Sequence, residues 1–248
     1  MVILFFTLTG AIIGSFCNVV IYRLPLMLNG EEFTLSWPPS HCPGCRQRIR
    51  ICHNIPILGW LMLMGRSACC GRAISWRYLT VEITMALLFT IIIWQQGITW
   101  QSTFDLFAVA MLIPLLFIDI DTMLLPDRLT LPFLLLALAF SASGRSVVEF
   151  HQAFIAAISG FGIPWFVARI YSGLCRKEGM GIGDMKLFAG LGAWLGPQAL
   201  LDIILWSSVS ALLVALVLLK TRPSQPFPFG PYPVIAAISW MLIHSSIM

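Results

Sequence analysis

Long apolar runs separated by short polar stretches dominate the chain. Eight of them hold enough consecutive hydrophobic positions to read as helices, near 2–21, 78–95, 103–118, 128–143, 151–174, 185–197, 199–219 and 229–247. A bilayer core about 30 Å thick is crossed by about 20 apolar residues in a helix. The pattern therefore predicts an all-α polytopic membrane protein with about eight transmembrane helices. The sixth run, LFAGLGAWLG, is short and glycine-rich. An oblique or re-entrant path suits it, provided its backbone is buried in protein or lines a watery cavity. One sizeable polar segment interrupts the pattern, so the expected organisation has three parts: a first transmembrane helix (1–21), a cysteine-containing cytoplasmic loop (22–77) and a seven-helix membrane domain (78–248). Near the end, RPSQPFPFGPYP (222–233) carries too many prolines to be helical throughout and reads as a stiff, extended connector.

Composition agrees with the periodicity. The chain is 58% hydrophobic and only 10% charged, where soluble domains carry roughly a quarter charged residues. Charge then supplies the topology, because cytoplasmic loops collect Lys and Arg. The loop 22–77 holds Arg23, Arg46, Arg48, Arg50, Arg66, Arg72 and Arg77 against Glu31 and Glu32, and is expected in the cytoplasm. Alternation through eight spans puts Arg176, Lys177, Lys186, Lys220 and Arg222 on the same face and leaves Arg145 outside. No basic residue precedes the first run, which therefore lacks the basic start of a cleaved signal and reads as a retained helix. The net charge of +4 is a topology signal, and no nucleic-acid partner is expected.

Acidic groups are expensive near hydrocarbon, which makes each one at membrane depth a functional candidate. Asp119 and Asp121 close the third run, Asp127 opens the fourth, and Asp184 ends GMGIGD before the glycine-rich run. The topology sets these loops on one face, where two carboxyl groups can meet. Such a pair shares a proton, so that one activates water and the other protonates a carbonyl, which is peptide hydrolysis without a metal. Spacing does not choose between Asp119 and Asp121. Asp127 and Asp184 also precede helical runs, where a carboxylate can simply cap a helix. Glu82, inside the second run, is read as facing the bundle or a wet cavity, and Asn18 and Arg23 as polar contacts near the cytoplasmic face.

In the loop, Cys42-Pro43-Gly44-Cys45 forms a C-x-x-C pair, and Cys69-Cys70 follows at a separation suited to a small zinc ribbon. A cytoplasmic position argues against disulfides. Cys42, Cys45 and Cys70 can be completed as a ligand set by Cys69, Cys52 or His53. Free thiols in a loop held by packing are the alternative.

Seven blocks, in order, resemble the type IV prepilin peptidases: IGSFCNVVIYRLP (13–25), CPGC (42–45), HNIPILGWLMLMGR (53–66), ISWRYLTVEI (74–83), IDIDTMLLPDRLTLP (118–132), KEGMGIGDMKLFAGLGAW (177–194) and PFGPY (228–232). The resemblance implies a GxGD-type intramembrane aspartic protease of the bacterial inner membrane with its active site facing the cytoplasm. The implied catalytic pair is Asp119 and Asp184. It implies prepilin or pseudopilin substrates, cleaved between a basic leader and an apolar helix, and a setting in pilus or type II secretion machinery. A second implied activity is N-methylation of the new amino terminus from S-adenosylmethionine, with Gly65 and Arg66 aligned to a Gly-Lys pair tied to that function; Arg66 keeps the charge and changes its geometry. The family's two C-x-x-C pairs imply structural zinc, on Cys42, Cys45, Cys69 and Cys70 here, although Ser67 stands at the expected third cysteine. Glu178 is read as an attractor for the basic leader. Two other classes compete: a transporter using intramembrane carboxylates would place charges mid-helix in two related halves, and an assembly protein with a zinc loop would leave the paired Asp loops without a purpose.

Overall fold

The computed structural model describes residues 1–30, 34–37, 39–42, 44–45, 47–175, 179–221 and 227–245, without the side chains of Ile51 and 218–221. Glu31, Glu32, Arg46, Arg176, Lys177, Glu178 and Arg222 lie outside the described residues, as do the Lys220 side chain and 222–226 of the connector. All regular elements among the described residues are helical. The chain divides between Gly97 and Ile98 into two compact units.

In the first unit, α1 (Val2–Leu28) lies along α3 (Trp76–Gln96). α1 runs on past the expected end at residue 21, with Pro25 inside its last turn. Gly10 and Gly14, four apart on one helix face, let the backbones close. A Cβ at these positions would stand 2.7 Å from the Met85 carbonyl oxygen and 2.8 Å from Glu82 Cα. This small-xxx-small spacing is how helices approach in lipid, where apolar burial gives little preference for helix over lipid contact. Between the helices lie a 3-10 turn (Ile51–Asn54), the short α2 (Leu58–Met62), and two isolated antiparallel bridges, His41 with Arg48 and Arg66 with Ala73. Arg23 is buried and its Nη1 donates to the Thr34 and Leu35 carbonyls at 2.9 and 3.3 Å, tying the loop to the end of α1.

The second unit holds α4 (Trp100–Thr122), α5 (Asp127–Ala142), α6 (Phe150–Cys175), α7 (Ile182–Thr221) and α8 (Pro231–His244). A capping box between Thr99 and Ser102 starts α4, and Met123 in the left-handed region (φ 54°, ψ 32°) stops it. α7 is broken at Gly196 (φ 86°, ψ 178°), directly before Pro197. The two runs expected at 185–197 and 199–219 are thus the two halves of one broken helix. Glycines explain how its first half fits: a Cβ at Gly192 would come within 2.5 Å of the Ala156 carbonyl oxygen, and one at Gly160 within 2.5 Å of the Phe188 carbonyl oxygen. α6 and α7 therefore touch backbone to backbone, and Leu187, Phe188, Leu191 and Trp194 are fully buried. By length and composition α1, α3, α4, α6 and α7 can cross a membrane, whereas α5 and α8 are shorter. The protein is an integral membrane protein.

Candidate functional site

Asp119 sits one turn from the end of α4 and is 4% exposed. Its Oδ2 accepts the Gly230 N–H at 2.8 Å, from the residue before α8. Asp184 lies in the first turn of α7, with its Oδ2 turned back toward Gly181, where a Cβ would stand 3.2 Å away. Its Oδ1 is buried with no hydrogen-bond partner. The two carboxyls are close enough for the charge of Asp119 to act on Asp184. Neighbouring contacts fix the same convergence: Lys186 Nζ pairs with Asp127 at 2.6 Å, Phe188 meets Phe229, and Gly183 faces Leu125 so closely that a Cβ would stand 2.8 Å from the leucine Cβ. The ends of α4 and the starts of α5, α7 and α8 thus meet around the pair.

The four aspartates sort by environment. Asp119 and Asp184 come together, Asp121 is exposed, and Asp127 is the exposed first residue of α5 rather than its cap, which is Pro126. Sequence reasoning missed two features here. For Gly230 the signal in the sequence is a proline-flanked glycine ahead of an apolar run. Asp105 carries no motif around it. It is buried, and its Oδ1 accepts from Trp194 Nε1 and Gln101 Nε2, both at 2.9 Å. This ties the far ends of the helices that carry Asp119 and Asp184.

The cysteine loop closes on itself. The bridges His41–Arg48 and Arg66–Ala73 each carry a turn, and the turns bring Cys42, Cys45, Cys69 and Cys70 together with their sulfurs all within 4.8 Å of one another. Cys42 and Cys70 are 3.6 Å apart at Sγ, and Cys45 and Cys69 3.0 Å. Zinc with Zn–S bonds of about 2.3 Å sets tetrahedral sulfurs about 3.8 Å apart, so the cluster is of the right size for the ion. Ser67 Oγ donates to Cys42 Sγ at 3.3 Å and lies 2.9 Å from Cys69 Sγ. The Ser67 hydroxyl, with the backbone around Gly44 and Cys45, holds the Cys42 thiol down at about 5, while the neighbouring Cys69 pushes Cys45 up to about 12. Cys52 and His53 stand outside this group.

A cavity of about 730 Å³ opens in the first unit between α1, α3, α2 and the cysteine loop, lined by Asn18, Trp60, Tyr78 and Glu82 among others. Glu82 is buried and its Oε2 accepts the Ile57 N–H at 2.7 Å. Ile57 adopts φ 62° and ψ −55°, unusual for a β-branched residue, in a tight turn closed by Leu58 N–H on the Pro56 carbonyl at 2.6 Å. Gly65 (φ 69°) is buried directly under the Trp60 ring, where a Cβ would stand 2.8 Å from the indole, and Arg66 is exposed. Neither residue lines the cavity.

Apolar helices that bring a buried carboxyl, Asp119, and a half-buried one, Asp184, together define a membrane protein with a two-aspartate site. Residues 8–96 match the bacterial peptidase A24 N-terminal domain and residues 106–216 the type IV leader peptidase family. Relatives named prepilin leader peptidase/N-methyltransferase include that of Dickeya chrysanthemi, 38% identical over 96% of this chain and 91% of its own. Those of Neisseria gonorrhoeae (38%; 95% and 93%) and Aeromonas hydrophila (42%; 94% and 89%) are similar to the same extent. The chain belongs to the type IV leader peptidase family. No solved structure matches it significantly.

Proposed function

We propose that this chain is a membrane aspartic endopeptidase that removes the basic leader from type IV prepilins or type II secretion pseudopilins and then N-methylates the new amino terminus. The juxtaposition of Asp119 and Asp184 carries the reading. One carboxylate takes a proton from a water whose oxygen attacks the scissile carbonyl carbon. The other carboxyl, protonated, donates its proton to the carbonyl oxygen. Collapse of the tetrahedral adduct breaks the C–N bond as the nitrogen takes up a proton, giving a leader carboxylate and a free amine. The Gly230 N–H occupies one Asp119 oxygen and orients the other, and Asp184 Oδ1 is buried without a protein partner. No metal is needed for this step.

The site is assigned to the cytoplasmic side of the bacterial inner membrane, where the leader of a membrane-anchored substrate stays in water and the cut falls at its boundary with the apolar helix. The basic loop charges Arg48, Arg50, Arg66 and Arg72 support that orientation. Zinc is assigned to Cys42, Cys45, Cys69 and Cys70 as a structural ion that holds the two turns together. The N-methyltransferase activity in the relatives' names supports S-adenosylmethionine as methyl donor. When bound, it supplies an electrophilic methyl that the amine lone pair takes as the C–S bond breaks toward sulfur. In this reading Gly65 acts by leaving room for Trp60.

The test uses the full chain in detergent with a prepilin substrate. Asp119→Asn and Asp184→Asn are each expected to lower kcat/KM by at least ~1,000-fold while retaining helical circular dichroism. Full cleavage by either variant would end the two-aspartate reading.

A further inference from the structure

Inside the segment 22–77, expected as a polar loop, residues 55–64 read IPILGWLMLM, with no charge and no Ser, Thr, Asn, Gln or His. An apolar run of roughly 10–14 residues is too short to span a bilayer and belongs in a protein core, a re-entrant turn or the membrane interface. The core of the first unit does not take this one up. Gly59 is buried, but Leu58, Leu61, Met62 and Met64 are each more than half exposed. The backbone is meanwhile satisfied: the N–H groups of Ile57, Leu58, Gly59, Leu61, Leu63 and Met64 all donate to carboxylate or carbonyl oxygens. A segment in contact with lipid must meet that condition, since hydrocarbon offers no partner.

Three contacts fix the height of the run against α3, one of the helices able to cross the membrane. The Ile74 N–H donates to the Gly65 carbonyl at 2.7 Å, so the end of the run lies level with the residues just before α3. Trp60 stacks on Trp76, the first residue of α3, with ring centroids 4.3 Å apart. Tryptophan pairs of this kind mark the membrane–water boundary. The Ile57 N–H donates to Glu82 Oε2 at 2.7 Å, and Glu82 lies about 9 Å along the axis from Trp76 at 1.5 Å per residue. Ile57 therefore reaches alongside the first two turns of α3, and the run climbs from there to the helix mouth. Amphipathic helices at an interface sink their apolar side about 5–10 Å, which is the same range.

We infer that residues 55–64 are an in-plane membrane anchor, with α2 lying in the leaflet at the N-terminal end of α3 and Leu58, Leu61 and Met62 against acyl chains. The partner is lipid, because the surface is continuous, through the Trp60–Trp76 stack, with the mouth of a spanning helix. Glu82 is the tether: its carboxylate, buried between α1 and α3, holds the Ile57 N–H, and the unusual backbone of Ile57 (φ 62°, ψ −55°) turns that N–H toward it. Arg66, exposed directly after the run, puts a cation where phosphate headgroups lie. The cysteine turn closed by the Arg66–Ala73 bridge follows at once and is thereby kept at the bilayer surface.

The experiment places the full, unmodified chain in nanodiscs of phosphatidylcholine, a fraction of which carries a diazirine on its acyl chain, and maps the lipid adducts by peptide mass spectrometry after photolysis. Residues 55–64 are expected to carry at least ~10-fold more adduct than the exposed turn 68–72, which the anchor leaves in water. Glu82→Ala, which frees the Ile57 N–H, should lower the yield on 55–64 by ~3-fold or more, and Glu82→Gln, which keeps an acceptor, should retain it. An adduct yield on 55–64 no higher than on 68–72 overturns the anchor. An unchanged yield in Glu82→Ala overturns the tether. Photo-methionine at position 62 tests the competing cover: coupling to residues 98–248 in place of lipid would assign this surface to the second unit and overturn the inference, and coupling to lipid supports it.

Discussion

An alanine at position 230 would set its methyl carbon 2.9 Å from Asp119 Oδ2 and 3.0 Å from Cγ, distances at which either the carboxyl or the start of α8 must shift. Displacements of about 1 Å at a reacting group can cost about 100-fold in rate. Gly230→Ala is accordingly expected to lower kcat by about 10- to 100-fold with KM little changed and helical content intact. A variant with unaltered kcat would show that the Gly230 contact does not position Asp119. The same contact shows where residue-level reading from sequence stops. Composition and charge were enough to put four aspartates on one face, but period and spacing give Asp119 and Asp121 equal claims. Three-dimensional neighbours distinguish them: Asp119 is buried and meets a backbone N–H from 111 residues further along, and Asp121 is exposed. No local pattern encodes a partner that distant.

The two cysteine turns are elements too small to hold themselves. Each rests on a single isolated bridge, and His41–Arg48 and Arg66–Ala73 supply little apolar burial. Small loop-rich units of this kind usually need a metal or a disulfide for stability. Elemental analysis of the purified chain is expected to give about one zinc per chain, with loss of most of it in Cys42→Ser and Cys70→Ser; an active chain without zinc would remove the ion from the account. Sequence spacing could name Cys42, Cys45 and Cys70 but left the fourth ligand open among Cys69, Cys52 and His53. The turn through Gly71 (φ 70°), which brings adjacent Cys69 and Cys70 to the same cluster, is a backbone conformation that spacing does not reveal. Longer elements were easier to read. Among the described residues, each of the eight apolar runs is helical over most of its length, because an apolar stretch in lipid has few other ways to satisfy its backbone. Their ends were harder. α1 extends beyond residue 21 because Arg23, expected as a loop charge, is buried against loop carbonyls, and the last helix starts at Pro231 because proline is well tolerated in a first turn.

At the scale of the whole molecule, the family matches at 8–96 and 106–216 fall on either side of the division at Gly97 and Ile98. The cavity and the cysteine cluster belong to the first unit, and the aspartate pair to the second. Within the second unit, the break at Gly196 has a further consequence. At 1.5 Å per residue, the α7 stretch before it (182–195) is about 21 Å long, as is α8, and α5 is about 24 Å. All three fall short of a hydrocarbon core of about 30 Å. Helices that short impose a hydrophobic mismatch, which lipid meets by thinning next to the protein. Thinning would bring the water table down toward Asp119 and Asp184 and reduce the work of admitting the hydrolytic water. Bilayer thickness then becomes a kinetic variable: in vesicles of monounsaturated phosphatidylcholine, cleavage should be several-fold faster with 14-carbon than with 22-carbon chains, and equal rates would show that the protein meets the mismatch by itself. In these terms the glycine–proline break in α7 sets the local depth of the membrane in which the peptidase works.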